Sequence, residues 1–181
     1  RIDKDLVKNY KQDLIALTGS TYGPIPDLIL NVGEGQAEEE FKWWIDVFGD
    51  DFYVEINRHN LEEENHVNNV LVSFAQKYNV RIIASNNVYY LDEEDANAHD
   101  ILLCVRDGEM QSTPKGNGRG YRFGFPNDSF YFKSSEQMRE LFIDIPQAID
   151  NITHLINKIE PYTLSREVLL PKFNIPEKFT D

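Results

Sequence analysis

The chain is poor in cysteine and in positive charge, and it lacks any long apolar run. Its single cysteine excludes an internal disulfide. Its 18 lysine and arginine residues stand against 31 aspartate and glutamate residues, and the net charge of −13 opposes strong direct contact with a phosphate backbone. No run approaches the roughly 18 apolar residues that span a bilayer. We therefore expect a domain of a reducing cytoplasm with no membrane contact.

Length and periodicity predict an α/β fold. At 181 residues the chain is long enough for one compact domain with a tail. Short apolar runs at residues 14–17, 52–56 and 81–85 alternate with segments of helical period. This order is typical of right-handed βα units, so we predict three parallel strands that lie side by side.

Two helices are predicted between these strands. The first spans residues 38–48, and its apolar stripe comprises Phe41, Trp44, Ile45 and Phe48. The second begins after Asn60, which we expect to cap it, and ends at Tyr78 and Asn79. Its stripe comprises Val67, Val70, Leu71, Phe74 and Tyr78. Each helix therefore has one face suited to covering a sheet.

A different organisation begins near residue 107. A glycine-rich loop leads to Tyr121, Phe123 and Phe125, whose period of two predicts a hairpin that buries one aromatic face. A capping-box pattern at residues 134–137 opens a helix. A last helix begins at Pro146 and carries isoleucines as far as Ile159. We predict three parts: βα units at 1–107, the hairpin and two helices at 108–160, and a linker at 161–181.

The segment from residue 81 carries the most specific pattern, because a short β-branched run ends in polar groups and passes into an acidic stretch. It reads RIIASNNVYYLDEEDANAHDILLC. It resembles the end of the PHP domain in the bacterial DNA polymerase III alpha subunits, where TNDVHYL, an acidic run and AHDxLLC are usual. Asn87 stands where that family has a metal-binding Asp, and Tyr89 stands where it has a His.

The resemblance extends along nearly the whole chain. LIALTGS at residues 14–20 is similar to a strand that ends in a metal-binding Cys, so Ser20 is a third altered position. FYVEINRH at 52–59 resembles the family's YLELQRH, and FYFKS at 130–134 matches the element that follows. LLPKF at 169–173 resembles the lead-in to the polymerase palm, whereas residues 113–126 depart from the commonest members.

The resemblance implies both a fold and a parent protein. The fold would be the C-terminal part of a PHP-type (βα)7 distorted TIM-like barrel with mainly parallel strands and an appended exit segment. The parent would be a bacterial, cytoplasmic, magnesium-dependent DNA polymerase of chromosome replication, of which this chain would be a fragment without the palm carboxylates. Partners would be the remainder of the alpha subunit, a proofreading exonuclease subunit, and DNA through other domains.

Polar residues at the strand ends are the candidate site. Ser20, Asn87 and Tyr89 mark the degenerate metal positions, and the expected pocket lining comprises Glu55, Asn57 and Asn86. Ser20 and Asn87 are neutral, and a phenol of pKa about 10 is a poor anionic ligand at neutral pH. We therefore expect no catalytic residue and no bound metal or other cofactor in this chain, which would be an inactive scaffold. The alternatives are a PHP-family phosphoesterase or 3′-5′ exonuclease, and an interaction module with no enzyme attached.

Three residues are candidates for partner contact. Trp43 lies about 100° off its helix stripe, and exposed aromatic residues are favoured at interfaces. Arg119 and Arg122 lie in the basic and aromatic segment, which suits a structural hairpin first, contact with another part of the polymerase next, and nucleic acid third. We expect Cys104 to be a small buried residue and His154 to be solvated. The four histidines show no spacing typical of zinc.

Overall fold

The computed structural model describes residues 2–165, so the predicted lead-in at 169–173 and most of the linker lie outside the described residues. Three strands and seven α-helices alternate over much of this range. In chain order they are α1 (Lys4–Tyr10), β1 (Ala16–Leu17), α2 (Pro24–Asn31), α3 (Glu34–Phe48), β2 (Phe52–Asn57), α4 (Glu62–Tyr78), β3 (Arg81–Ser85), α5 (Ala96–Asp107), α6 (Ser135–Leu141) and α7 (Gln147–Ile156). No helix in this range is both long and apolar enough to cross a membrane.

The sheet is parallel, as the alternation of elements predicts. Its order is β1-β2-β3, with Ala16 opposite Phe52 and Val54 opposite Ile82. The predicted limits of β3 are confirmed, whereas β1 is shorter than the apolar run at 14–17. Within residues 2–165 the sheet has three strands and is open, so these residues establish a parallel α/β sheet and not a closed barrel.

The main core lies on one face of this sheet. Phe52, Val54 and Ile56 alternate along β2 and pack with residues of α2, α3 and α4. The Phe41 ring of α3 lies 5.3 Å from the Phe52 ring and 5.4 Å from the Phe74 ring, centroid to centroid. Full burial of each such side chain contributes about 1.5–3 kcal/mol. The apolar stripes of α3 and α4 are therefore what holds the helices to the sheet.

The start of α4 differs from the prediction, although its end agrees. Asn60 has φ of 57° and donates its amide to Ser129 Oγ over 3.2 Å, so it does not cap the helix. Leu61 occupies the N-cap position and provides no side-chain cap. Three glutamates in the first turn interact favourably with the positive end of the helix dipole. At the other end Asn79 adopts the left-handed conformation, with φ of 56°, and terminates the helix.

The predicted hairpin after residue 107 is wrong. Residues 108–134 contain no regular strand and form only isolated bridges, between Lys115 and Arg122 and between Tyr90 and Tyr131. Gly118 and Gly120 have φ values of 91° and 90°, so the backbone turns between Lys115 and Arg122, but no regular strand within residues 2–165 includes residues 121–125. The segment is therefore an irregular loop held by side-chain contacts.

The two helices predicted after the loop are confirmed. Ser134 forms the expected capping box at α6. The last helix is shorter than its isoleucine pattern, because Ile159 lies beyond α7 and is exposed. The prediction that His154 is solvated is not confirmed, because its Nδ1 lies 2.9 Å from the hydroxyl of the fully buried Tyr53.

The two edges of the sheet differ. Helix α7 packs along β3, and the Asn151 side-chain amide donates to the backbone carbonyl of Ile82 over 2.8 Å. At the other edge β1 has no second strand partner among residues 2–165. It borders an apolar groove of about 630 Å³ lined by α1, β1 and part of α3, and Leu14 there is 53% exposed. One edge is thus covered, and the other is open to a further chain.

Asn151→Ala removes the side chain that satisfies the β3 edge. We expect it to lower the free energy of unfolding by about 1–3 kcal/mol, because the Ile82 carbonyl loses its partner in a partly buried position. Urea unfolding followed by circular dichroism measures the change. Asn157→Ala, just past the end of α7, is the matched control. Equal stability of the two variants would show that this hydrogen bond contributes little.

The open β1 edge should promote self-association. We expect the sedimentation coefficient of the chain to rise with concentration, because unpaired backbone groups and the apolar groove favour pairing between copies. Leu14→Lys should suppress this rise, whereas Val105→Lys on the exposed side of α5 should not. A concentration-independent monomer for the unmodified chain would contradict the prediction.

Candidate functional site

The ends of β1 and β2 meet at a small cavity. Ser20 follows β1, and Glu55 and Asn57 belong to the second half of β2. The structure brings these three predicted residues together around a cavity of about 10 Å³, whose other lining residues are Gly19, Thr21, Glu64, Val67 and Asn68. Carboxyl ends of parallel strands are where α/β folds place ligand-binding groups. This cavity is therefore the candidate site.

Thr18 fixes the relative position of β1 and β2 at the cavity. Its backbone N–H donates to Tyr53 O over 3.1 Å, and its Oγ1 accepts the Glu55 N–H over 2.9 Å. The chain then turns through Gly19, with φ of 78°, and doubles back so closely that a Cβ on Gly23 would lie 2.1 Å from Thr18 O. Only glycine fits at Gly23 without a shift of the backbone. The sequence TGS thus holds Ser20 beside β2.

The side-chain oxygens of Asn57 and Glu55 in the cavity lack polar partners within residues 2–165. Asn57 is 4% exposed, and its Oδ1 accepts no hydrogen bond from a described residue, although its backbone carbonyl accepts the Asn68 amide over 2.7 Å. The half-buried Glu55 takes part in hydrogen bonds through its backbone alone. The lining contains two carboxylates, from Glu55 and Glu64, and no lysine or arginine. The cavity is therefore acidic and rich in acceptors.

A buried histidine adjoins this cavity, although it is not among the site residues predicted from the sequence. His59 is fully buried, and its Nδ1 lies 2.7 Å from a carboxylate oxygen of Glu64. The other Glu64 oxygen accepts the His59 backbone N–H over 2.6 Å. On the far side of the ring, Nε2 lies 3.2 Å from the backbone nitrogen of Asn87 and 3.1 Å from Asn86 Oδ1. Phe130 stacks on the imidazole with centroids 4.6 Å apart.

These partners fix the proton at one ring nitrogen. The Glu64 carboxylate can only accept, so Nδ1 carries the proton between them. Nε2 faces both the Asn87 N–H, which is a donor, and Asn86 Oδ1, which is an acceptor. Both ring nitrogens are engaged inside the protein, and neither is free to bind a ligand. The sequence carried two signals. His59 matches the last residue of the YLELQRH segment, and it lies five residues before a glutamate in the first turn of a helix, which is common and unspecific.

Asn86 ties the end of β3 to the segment after the loop. Its Nδ2 donates to the Tyr131 carbonyl over 2.9 Å, and Lys133 Nζ lies 3.4 Å from its Oδ1. Lys133 also donates to the Ser129 carbonyl. Burial lowers the pKa of Lys133, whereas the carboxylates of Glu93 and Glu64 oppose that shift. Asn86 therefore has a structural role and does not line the cavity.

Asn87 and Tyr89 do not join Ser20. Neither residue lines the cavity at the ends of β1 and β2. The Tyr89 ring is 55% exposed and lies 4.5 Å from the Phe125 ring and 5.8 Å from the His99 ring, between centroids. The three positions to which the resemblance assigns metal ligands thus do not share one cavity here.

The side chains present do not fit a multinuclear metal centre. Such a centre needs several anionic or imidazole ligands to offset the charge of two or three divalent ions. No group of three His, Cys, Asp or Glu side chains within residues 2–165 is placed to hold a metal ion. The two best potential ligands, His59 and Glu64, bind each other, and Ser20 and Asn57 are neutral.

Arg122 is a structural residue, so its predicted role in partner contact is wrong. It is buried, and it donates through Nη1 and Nη2 to the two carboxylate oxygens of Asp100, each over 2.8 Å. Lys115 Nζ lies 3.2 Å from the same carboxylate. The Arg122 guanidinium holds the pKa of Asp100 well below its usual range, and Asp100 raises the pKa of Arg122. This pair joins the irregular loop to α5.

The two other interaction candidates remain at the surface. Arg119 is exposed. Trp43 is half-buried, and the ammonium groups of Lys4 and Lys8 lie 4.5 and 5.7 Å from its ring centroid, so α1 shares this face of α3. Cys104 is buried, as predicted. A partner contact at Arg119 or Trp43 stays a prediction.

The chain is similar to known proteins along almost its whole length. The family described as the PHP domain matches residues 1–59. The DNA polymerase III subunit alpha of Borreliella burgdorferi is 35% identical over 180 residues, which are 99% of this chain and 15% of that protein. Those of Thermus aquaticus and Treponema pallidum are 33% and 32% identical, over 100% and 99% of this chain. The chain spans about 15% of the length of these relatives.

The Asp100–Arg122 pair should make the chain sensitive to acid. Asp100 has a lowered pKa in the folded state, so its stabilising effect is complete above its unfolded pKa of about 3.9 and is lost as the pH falls further towards the folded value. Asp100→Asn should therefore lower the urea midpoint at pH 7 and flatten its decline below pH about 4. The control is Asp107→Asn, which removes the exposed ion pair between Asp107 and Arg106 and should change the urea midpoint little. An equal decline of the urea midpoint with falling pH in the unmodified chain and in Asp100→Asn would contradict this prediction.

Proposed function

This chain belongs to the DNA polymerase III alpha subunit family, as a region with a PHP-domain match, and we propose that its parent protein carries out template-directed DNA synthesis in bacterial chromosome replication. Similarity to three such subunits along the whole chain supports this proposal. The nucleotidyl transfer would use magnesium held by carboxylates in other parts of the parent. This chain by itself would be inactive as a polymerase and would lie in the bacterial cytoplasm.

The proposed role of this chain is that of a metal-free scaffold. The observation that carries it is the pairing of His59 with Glu64, because these are the strongest potential ligands at the strand ends and they bind each other. Their contacts extend to the backbone of Asn87 and the side chain of Asn86. A residue pair with these contacts stabilises the junction of β2, α4 and the end of β3. The pairing therefore leaves neither His59 nor Glu64 available as a metal ligand for hydrolytic chemistry.

We also propose that the three strands form part of a PHP-type (βα)7 barrel. Tyr53 and Glu55 alternate with the core residues of β2, so they point to the opposite face of the sheet, which would be the barrel interior. The open β1 edge is where further parallel strands would pair. The appended loop and α6 would then lie outside the barrel, whereas α7 packs along β3 and contacts Tyr53 through His154.

The scaffold would have two kinds of partner. The first is the remainder of the alpha subunit, which would cover the apolar groove beside β1. The second is a proofreading exonuclease subunit, for which the exposed Arg119 and the half-buried Trp43 are contact candidates. DNA would be bound through other domains, since the net charge of −13 opposes direct contact here.

One observation favours the alternative of a PHP-family phosphoesterase or 3′-5′ exonuclease. Glu55 and the unpartnered Asn57 Oδ1 lie at the strand ends, where such an enzyme would bind its metal ions. We prefer the scaffold because two oxygen ligands of this kind, without free imidazole groups, give weak compensation for a divalent ion. Metal content distinguishes the two proposals.

The scaffold proposal predicts background metal content and background phosphodiesterase activity. The complete alpha subunit and this chain would each be dialysed with Mn²⁺ or Zn²⁺, desalted and measured by elemental analysis. We expect substoichiometric metal in both, because the strand ends lack a sufficient set of anionic ligands.

A comparison variant of the complete subunit carries Asn87→Asp and Tyr89→His together, which restores the two family ligand types. Metal that appears only in this variant would support the scaffold proposal. Stoichiometric metal in the unmodified complete subunit would refute it and favour the hydrolytic alternative.

A further inference from the structure

The cavity at the ends of β1 and β2 contains acceptors that no described residue satisfies. Asn57 Oδ1 is buried and has no hydrogen-bond partner within residues 2–165. The Glu55 carboxylate, also without a side-chain partner there, lines the same cavity with the Ser20 hydroxyl. Of the two side-chain amides in the lining, those of Asn57 and Asn68, the Asn68 amide donates to the backbone carbonyl of Asn57, and the hydroxyls of Ser20 and Thr21 donate to neither acceptor. An occupant must therefore bring hydrogen-bond donors.

Charge further restricts the occupant. Two carboxylates, of Glu55 and Glu64, line the cavity, and no lysine or arginine does. His59 bonds to Glu64 from behind and is itself enclosed. A cation that enters this cavity would therefore meet, at short range, the negative charge of the Glu55 carboxylate, which has no side-chain partner within residues 2–165. A neutral water molecule would satisfy the acceptors but would leave that charge in place.

Size and donor number select one kind of cation. The cavity volume of about 10 Å³ is close to that of one water-sized group. An ammonium group is of this size, carries three donors and has no acceptor. A guanidinium is a planar fork with five donors and is too large. A divalent ion keeps a tightly held hydration shell and needs more oxygen ligands than this cavity supplies.

We infer that this cavity seats the ammonium group of a lysine side chain, supplied by the protein surface that covers the ends of β1 and β2. The inference rests on the proposed scaffold function and adds the chemistry of one contact. The ammonium group would donate to Asn57 Oδ1, to the Glu55 carboxylate and to the Ser20 hydroxyl. A single buried ion pair of this kind orients the covering surface on the sheet.

The test uses n-butylammonium chloride, which has the same primary ammonium group as a lysine side chain. Tetramethylammonium chloride, which has the charge but no N–H donor, is the comparison at equal ionic strength. We expect n-butylammonium to shift the amide resonances of Ser20 and Asn57 with saturation, and tetramethylammonium to leave them unchanged. Glu55→Gln should weaken n-butylammonium binding about tenfold, because one charge-assisted hydrogen bond is replaced by a neutral one.

Two further variants guard against effects on folding. Asn57→Leu removes the unpartnered acceptor at similar volume and should abolish the saturable shift at Ser20 while the chain stays folded by circular dichroism. Glu63→Gln changes a glutamate of the same helix turn that does not line the cavity, and it should bind n-butylammonium as the unmodified chain does.

The outcomes separate this inference from the scaffold proposal. Equal responses to both organic cations, the same saturable shifts with potassium, or no saturable shift with any cation would overturn the lysine seat and leave the scaffold standing. Stoichiometric Mn²⁺ binding, detected by paramagnetic broadening at Ser20 and Asn57, would overturn both. A saturable response to n-butylammonium alone that requires Glu55 and Asn57 would support the inference.

Discussion

The buried contact between His59 and Glu64 is the constraint on which the rest of this molecule depends. Glu64 accepts from both the ring and the backbone of His59, and so holds the end of β2 to the first turn of α4. On its other side the ring meets the backbone of Asn87 just after β3, and Phe130 stacks on its face. Loss of either partner would leave a buried polar or charged group unpaired, which is strongly destabilising. Four separate parts of the chain therefore share one contact.

This contact also determines what chemistry is left at the strand ends. Imidazole and carboxylate groups are the usual ligands of a hydrolytic metal centre, but here each satisfies the other. Glu55 and Asn57 remain, and they offer acceptors in a cavity of about 10 Å³. The parallel βα order persists around this contact, with His59 and Glu64 bound to each other. On the scaffold proposal, the same positions support assembly in place of hydrolysis.

The sequence predicted those parts of the fold that depend on local pattern. Alternation of apolar runs and helical segments gave the parallel sheet, with β3 at its predicted bounds, because burial imposes a periodicity on each element. The hairpin prediction was wrong because the period of two in Tyr121, Phe123 and Phe125 gives no sign of a long-range contact that decides the path of this segment. Arg122 lies between these aromatic residues, and its bidentate bond to Asp100 turns the segment inward. His59 was missed for a similar reason, since its partners in α4 and after β3 meet only in three dimensions.

The groups that residues 2–165 leave unsatisfied share one location. The covered edge of the sheet has Asn151 and α7, and the far loop has the Asp100–Arg122 pair. By contrast, the open backbone edge and the apolar groove both adjoin β1, and the acceptor-rich cavity includes Ser20 in the turn that follows β1. An apolar surface, an unpaired strand edge and a buried acceptor each require a different kind of partner atom. A single body packed against β1 and its following turn would supply all three, which is the arrangement that the scaffold proposal requires.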